Sequence, residues 1–118
     1  MDELTTRKLM RLLGVGMGGR LVVVGVERVR EAAQRGKLKL AVFAPDASRH
    51  SLDKVVPMLR AKRIRLIEGP SAAVLGDAVN RESTAVVGVV DADLARGVRA
   101  LVESAPNEGR TADSPRAR

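Results

Sequence analysis

Four short, mostly apolar runs, Leu21–Val24, Leu38–Ala44, Ile64–Ile67 and Ala85–Val90, about half of whose residues are β-branched, are separated by stretches whose apolar residues recur with helical spacing. This alternation most constrains what the chain can fold into. The helical stretches carry Leu4, Leu9, Leu12 and Leu13; Val26, Val29 and Ala33; Leu52, Val55, Val56 and Leu59; Val74, Leu75 and Ala78; and Leu94, Val98, Leu101 and Val102. A helical period gives one apolar stripe, whereas a short apolar run gives a strand covered on both faces. Such elements bury their faces together only in layers. The expectation is an α/β protein, a three-layer α/β/α sandwich with a central four-stranded mixed sheet.

Local signals set the boundaries. Asp2 or Thr5 caps the first helix. Gly14-Val15-Gly16-Met17-Gly18-Gly19 then breaks it, as a flexible turn into the first strand. Gly36 closes the second helix. Pro45–Ser51 reads as a turn rich in capping residues. Pro57 reads as the first residue of the main helix that follows, where a missing N–H does no harm. Pro70-Ser71 starts the next helical run, and Asp91 or Asp93 caps the last. From Ser104 onward, APNEGRTADSPRAR has no apolar periodicity. The reading is one domain over residues 1–103 and a disordered basic tail over 104–118.

Composition then narrows the chemistry. The 118 residues suffice for one self-supporting core. The absence of Cys removes disulfides, thiolate nucleophiles and Cys-based metal sites, and it agrees with a cytoplasmic location. No run approaches the ~18 apolar residues of a membrane span. The opening MDELTTRK lacks the cationic start and apolar run of a secretory signal. Lys and Arg number 21 against 14 Asp and Glu, a net charge of +7 that points to an anionic partner, nucleic acid first. Phe43 is the only aromatic residue. Base stacking on an aromatic platform is therefore excluded, and any readout rests on backbone, Arg, Lys and polar side chains.

Four features invite an enzymatic or cofactor reading and fail on context. Gly14–Gly19 contains G-x-G-x-x-G, but a helical pattern precedes it and a strand follows. That order is the reverse of a dinucleotide site and offers phosphates no helix N-terminus. A phosphoacceptor domain of similar length needs carboxylates after its first strand, where Gly25-Val26 stand instead. Asp46 ends a strand without acidic neighbours to hold Mg²⁺ and reads as a cap. Asp91-Ala92-Asp93 has two readings, a hard-cation site or helix caps, and caps are the commoner use. His50, the only His, has no second His for a metal site and no nucleophile beside it. No acid, base and nucleophile converge, so no enzyme activity, cofactor or metal is expected. Gly25-Val26-Glu27-Arg28-Val29-Arg30-Glu31 and Arg35-Gly36-Lys37-Leu38-Lys39 remain. A glycine at a helix start leaves N–H groups free for phosphate or a base edge. The plainer reading is a glycine turn followed by a Glu31–Arg35 pair.

The order of motifs over residues 9–102 resembles a ribosomal protein superfamily. It includes the archaeal large-subunit protein seven-Ae, the eukaryotic protein thirty-e and a bacterial YlxQ-like branch. Leu12-Leu13-Gly14 with Val22-Val23 and Gly25 resembles the YlxQ opening. Gly36-Lys37-Leu38-Lys39-Leu40 resembles the family's G-K-A-K-L, and Ala44-Pro45-Asp46-Ala47-Ser48 its A-E-D-A-S. Val56-Pro57-Met58-Leu59 resembles L-P-L-L, and Pro70-Ser71 with Leu75-Gly76-Asp77-Ala78 resembles P-S…L-G-x-A. Ala85–Asp91 resembles the closing strand V-V-V-A-V-T-D.

The resemblance implies an α/β/α sandwich that binds structured RNA, often at kink-turns, through two segments. The family's G-x-N-E-x-x-K falls on Gly25, Glu27, Arg28 and Glu31. The loop after L-G-x-A falls on Asn80, Arg81, Glu82 and Ser83. The family's Lys is Glu31 here, and its loop glycine is Asn80, a residue that tolerates left-handed backbone. Arg20, Arg28, Arg30 and Arg81 are the candidates to restore the positive field. The expectation is a monomeric, cytoplasmic protein that binds ribosomal or regulatory RNA, with ribosome association. The alternative is a protein-interaction module that kept the fold but lost the RNA site.

Overall fold

The computed structural model describes residues 1–104. The expected tail lies outside the described residues except for Ser104, which ends the last helix with its N–H on the Ala100 carbonyl at 3.0 Å. The elements run α1 (Glu3–Gly18), β1 (Val22–Val24), α2 (Val26–Gln34), β2 (Leu40–Phe43), α3 (Arg49–Ala61), β3 (Arg65–Glu68), α4 (Ala72–Ala78), β4 (Val86–Val89) and α5 (Ala92–Glu103). The strands form one four-stranded sheet in the order β1-β4-β2-β3. β2 and β3 pair in parallel, and β4 is antiparallel to both β1 and β2. This is the mixed sheet and sandwich that the alternation implies.

The sheet divides the core by the two-residue period of its strands. Val22, Leu40, Val42, Ile67, Val87 and Val89 face α1, α4 and α5, packing on Leu9, Leu13, Leu75, Val79, Ala95 and Val98. Val23, Ala41, Phe43, Leu66 and Val86 face α2 and α3, packing on Val29, Ala32, Ala33, Val55 and Leu59. Gly88, in central β4, lets α2 approach closely: a Cβ there would stand 2.5 Å from Leu38 Cδ1 and 3.1 Å from Val29 Cγ2.

Two boundaries differ from the sequence reading. The glycine-rich segment 14–19 does not break α1, which continues to Gly18. A Cβ at Gly16 would lie 2.6 Å from Leu94 Cδ2 and 2.9 Å from Val22 Cγ1, so this glycine is where α1 presses against β1 and α5. Packing outweighs the cost of helical glycine, about 1 kcal/mol relative to Ala. Pro57 does not open its helix either. α3 begins at Arg49, capped by the Ser48 hydroxyl on the Ser51 N–H at 3.1 Å, and Pro57 lies inside it. Burial of Val55 and Leu59 on either side holds the helix through the proline.

Four helices close alike. Arg20, Gly36, Arg63 and Asn80 take positive φ of 61°, 73°, 60° and 63° after α1, α2, α3 and α4. The next residue in each case returns its N–H to a carbonyl in the last turn: Leu21 to Gly16 at 2.7 Å, Lys37 to Ala32 at 2.9 Å, Ile64 to Leu59 at 2.9 Å and Arg81 to Gly76 at 2.8 Å. These bonds satisfy carbonyls that a helix end otherwise leaves free.

Candidate nucleic-acid interface

The strand registers place the ends of β1, β2 and β3 and the start of β4 along one edge of the sheet. Backbone bonds stitch the edge together. Gly25 N–H donates to the Val86 carbonyl at 3.0 Å, Ala44 N–H to Ala85 at 2.8 Å and Gly69 N–H to Phe43 at 2.8 Å. Three helices, α2, α3 and α4, start from this edge.

Their N-termini are not equivalent. Ser48 caps α3. Ser71 caps α4 through the Val74 N–H at 3.3 Å, and the Asp46 carboxylate accepts from the Ala72 N–H at 2.7 Å. Asp46 is thus a cap, as its sequence context implies, and Asp91 likewise caps α5 through the Leu94 N–H at 2.8 Å. The N-cap of α2 is Gly25, with no side chain to offer. Its φ of 98° and ψ of 161° lie in a region that essentially only glycine adopts. No atom lies within 4 Å of where its Cβ would be, so the requirement is conformational and the space in front is open. The first α2 bond to Gly25 comes from Val29, leaving the N–H groups of Val26, Glu27 and Arg28 without helical partners. A helix end of this kind favours an anionic or hydrogen-bond-accepting group.

The loop beside it is fixed from behind. Asn80 turns the chain at the end of α4, and the backbone of Ser83 presses on Gly76, where a Cβ would lie 2.5 Å from Ser83 Cα. Buried Thr84 donates its N–H to Ala72 at 3.1 Å and its hydroxyl to the Val86 carbonyl at 3.1 Å. Arg81, Glu82 and Ser83 stay exposed on this support. The loop enters β4 at the residue that receives the Gly25 N–H, so the two segments singled out in the sequence meet at one hydrogen bond.

The other candidates separate. Glu27 and Arg28 are exposed in the first turn of α2. Glu31 follows a turn later, paired with Arg35 at 3.1 Å. Arg30 is half-buried, its guanidinium donating to the Lys54 carbonyl of α3. That carbonyl lies in the turn before Pro57, whose missing N–H leaves Asp53 without its helical partner. Arg30 therefore ties α2 to α3 rather than facing outward. Arg20 lies at the other end of β1, five residues before Gly25, beside the Leu21 carbonyl that accepts from Val90 at 2.9 Å. The structure does not bring it to this edge. Arg49 and His50, exposed in the first turn of α3, do start from the edge. The sequence reading puts them in a turn, and Ser48 ahead of the Leu52–Val55–Leu59 period was the signal that would have placed them on a helix. Among the described residues, no group of His, Asp and Glu stands close enough together to hold a metal ion.

Fold and edge together define a small α/β/α sandwich with an open helix end and a braced loop side by side at one end of its sheet. The chain belongs to the ribosomal protein L7Ae/L30e/S12e/Gadd45 family, whose model matches residues 7–98. It is 29% identical over 92 residues to the RNA-binding protein YlxQ of Bacillus subtilis (strain 168), covering 78% of this chain and 92% of that one. A Bacillus halodurans protein of unknown function superposes with a TM-score of 0.76 at 29% identity, over 82% of this chain and 98% of that structure. The Giardia lamblia 15.5kD RNA binding protein superposes with a TM-score of 0.70 at 22% identity, over 86% and 92%, which shows the shared fold. The resemblance drawn from motif order holds.

Proposed function

We propose that this chain binds structured RNA of the kink-turn kind, placing the open N-terminus of α2 and the Asn80–Ser83 loop against it. The carrying observation is the contrast among the three helices that begin at this edge: α3 and α4 are closed by side chains, whereas α2 is held open by Gly25. Free N–H groups and the Asn80 and Ser83 side chains suit a base edge or phosphate, and Arg28 and Arg81 suit phosphates. Family membership and the similarity to a Bacillus RNA-binding protein support the reading. In this proposal the protein acts in the cytoplasm as a monomer on ribosomal or regulatory RNA, in association with the ribosome.

A labelled kink-turn RNA titrated against a plain duplex of equal length tests it. The kink-turn is expected to bind more tightly, and Arg81→Glu to weaken it. The second reading, a protein-interaction module, draws on Glu27, Glu31 and Glu82, exposed acids along the same segments. Absent RNA binding across a kink-turn panel would favour that reading.

A further inference from the structure

The positive charge of this protein is not gathered at the Gly25 edge. There Arg28, Arg49 and Arg81 are matched by Glu27, Asp46, Glu68 and Glu82. The excess lies at the opposite end of the sheet, where α2 and α3 finish side by side. Lys37 and Lys39 follow α2, Arg60 stands in the last turn of α3, and Lys62 and Arg63 follow it. The register unites them: Leu40 pairs with Arg65, so Lys39 and Ile64 enter neighbouring strands level with one another, about 5 Å apart by sheet spacing. All of these cations are exposed, and none forms an ion pair among the described residues. The nearby acids are engaged: Glu31 with Arg35, Glu103 with Arg65, Asp93 with Arg96, and Asp91 as the α5 cap.

Backbone geometry adds an independent observation. Arg63 and Arg20 occupy the left-handed position that ends a helix, at φ 60° and 61°, where Gly36 serves α2. The closing bonds from Leu21 and Ile64 account for the backbone there; both arginines are exposed, and neither side chain makes a hydrogen bond among the described residues. Helix closure thus fixes the two backbones and leaves both guanidinium groups turned to solvent, free for an external anion.

We propose that Lys37, Lys39, Arg60, Lys62 and Arg63 form a second surface for the RNA backbone, with Arg20 extending it along the same edge. It reads phosphate without sequence. The sheet order puts Arg20 three strand spacings from Arg63, a row of about 14–15 Å. RNA is favoured over an anionic membrane because no large apolar side chain is exposed beside Lys37, Lys39, Arg60, Lys62 or Arg63: the exposed ones are Met1, Leu4 and Val15, and a single valine near Arg20 is too little apolar surface to insert. This surface stands independently of the Gly25 edge. If both are used, one protein holds RNA at both ends of its sheet.

The test uses the full chain and a plain RNA duplex without a kink-turn. Neutralising Lys37→Gln, Lys62→Gln and Arg63→Gln together is expected to flatten the dependence of log affinity on log salt by roughly 2–3, at ~0.7–0.9 for each phosphate no longer neutralised. Arg7→Gln, Lys8→Gln and Arg11→Gln on α1 remove the same charge and should change that slope by less than about one. Arg63→Gly alone should raise the thermal midpoint yet weaken duplex binding; a purely structural role would give the first effect without the second. Arg81→Glu should weaken kink-turn binding while leaving the duplex slope intact. Equal slopes for the two triple variants, or an unchanged slope for the first, would overturn the proposal. So would loss of duplex binding in Arg81→Glu alone, or vesicles of anionic lipid binding as well as the duplex.

Discussion

The backbone of Ser83 lies so close to Gly76 that a Cβ on residue 76 would stand 2.5 Å from the Ser83 Cα and 2.8 Å from its N and C atoms. The atoms in the way are main chain and cannot rotate aside. The exposed loop that carries Arg81 is thereby set by a buried helical glycine. In an open helix Gly→Ala gains about 1 kcal/mol. Here overpacking, typically ~1–3 kcal/mol, outweighs it. Gly76→Ala is expected to lower stability and to weaken kink-turn RNA binding at temperatures where the protein stays folded. Chemical denaturation and a binding titration on the same sample read both effects.

Gly25→Ala separates strain from packing. No atom would clash with the new Cβ, but the backbone angles exclude it. The expected loss is about 1–3 kcal/mol. By ridding itself of this strain the chain would turn the Val26–Arg28 N–H groups away from their open setting, so RNA affinity should fall further than for a surface change of equal stability cost. Denaturation midpoints and anisotropy titrations check it.

Glu31→Lys replaces an acid with a base in the α2 segment proposed to face RNA. An acid about 4 Å from a phosphate costs on the order of 1 kcal/mol in a water-like medium. Kink-turn affinity should therefore rise roughly several-fold to tens-fold. The change breaks the Glu31–Arg35 pair, whose side chains are 60% and 63% exposed, and an exposed helical pair contributes only about 0.3–0.5 kcal/mol. Glu3→Lys breaks the corresponding i,i+4 pair with Arg7 on α1 and serves as control. Equal gains from both would show that Glu31 does not face the RNA.

Arg63→Gly is expected to stabilise the protein. Relief of left-handed backbone is worth ~1–2 kcal/mol, against ~0.4–1 kcal/mol for the freer unfolded chain. At mid-range the net gain is about 0.8 kcal/mol, which corresponds to a rise of roughly 3–6 °C in Tm for a domain of this size. Calorimetry measures it directly.

Most of the fold was legible because strand and helix periods leave few ways to bury their faces, and the caps at Ser71 and Asp91 mark helix starts by chemistry alone. The failures share one cause. Gly14–Gly19 and Pro57 carry strong local signals for interruption, and tertiary packing overrode both: Gly16 sits against Leu94 and Val22, and buried Val55 and Leu59 flank the proline. The candidate site was legible in part. Gly25 and Asn80 announce themselves as residues suited to positive φ. Nothing in the sequence says that Arg30 will be drawn onto α3, or that Arg20 will face the far edge, because both depend on where neighbouring elements end.

The most direct test of the central claim is an amide chemical-shift titration of the full chain with a kink-turn RNA. The largest perturbations are expected at Val26, Glu27 and Arg28 and across Asn80–Ser83, saturating together at low RNA excess. Perturbations that bypass these amides, or that appear only at Lys37–Lys39 and Lys62–Arg63, would contradict it.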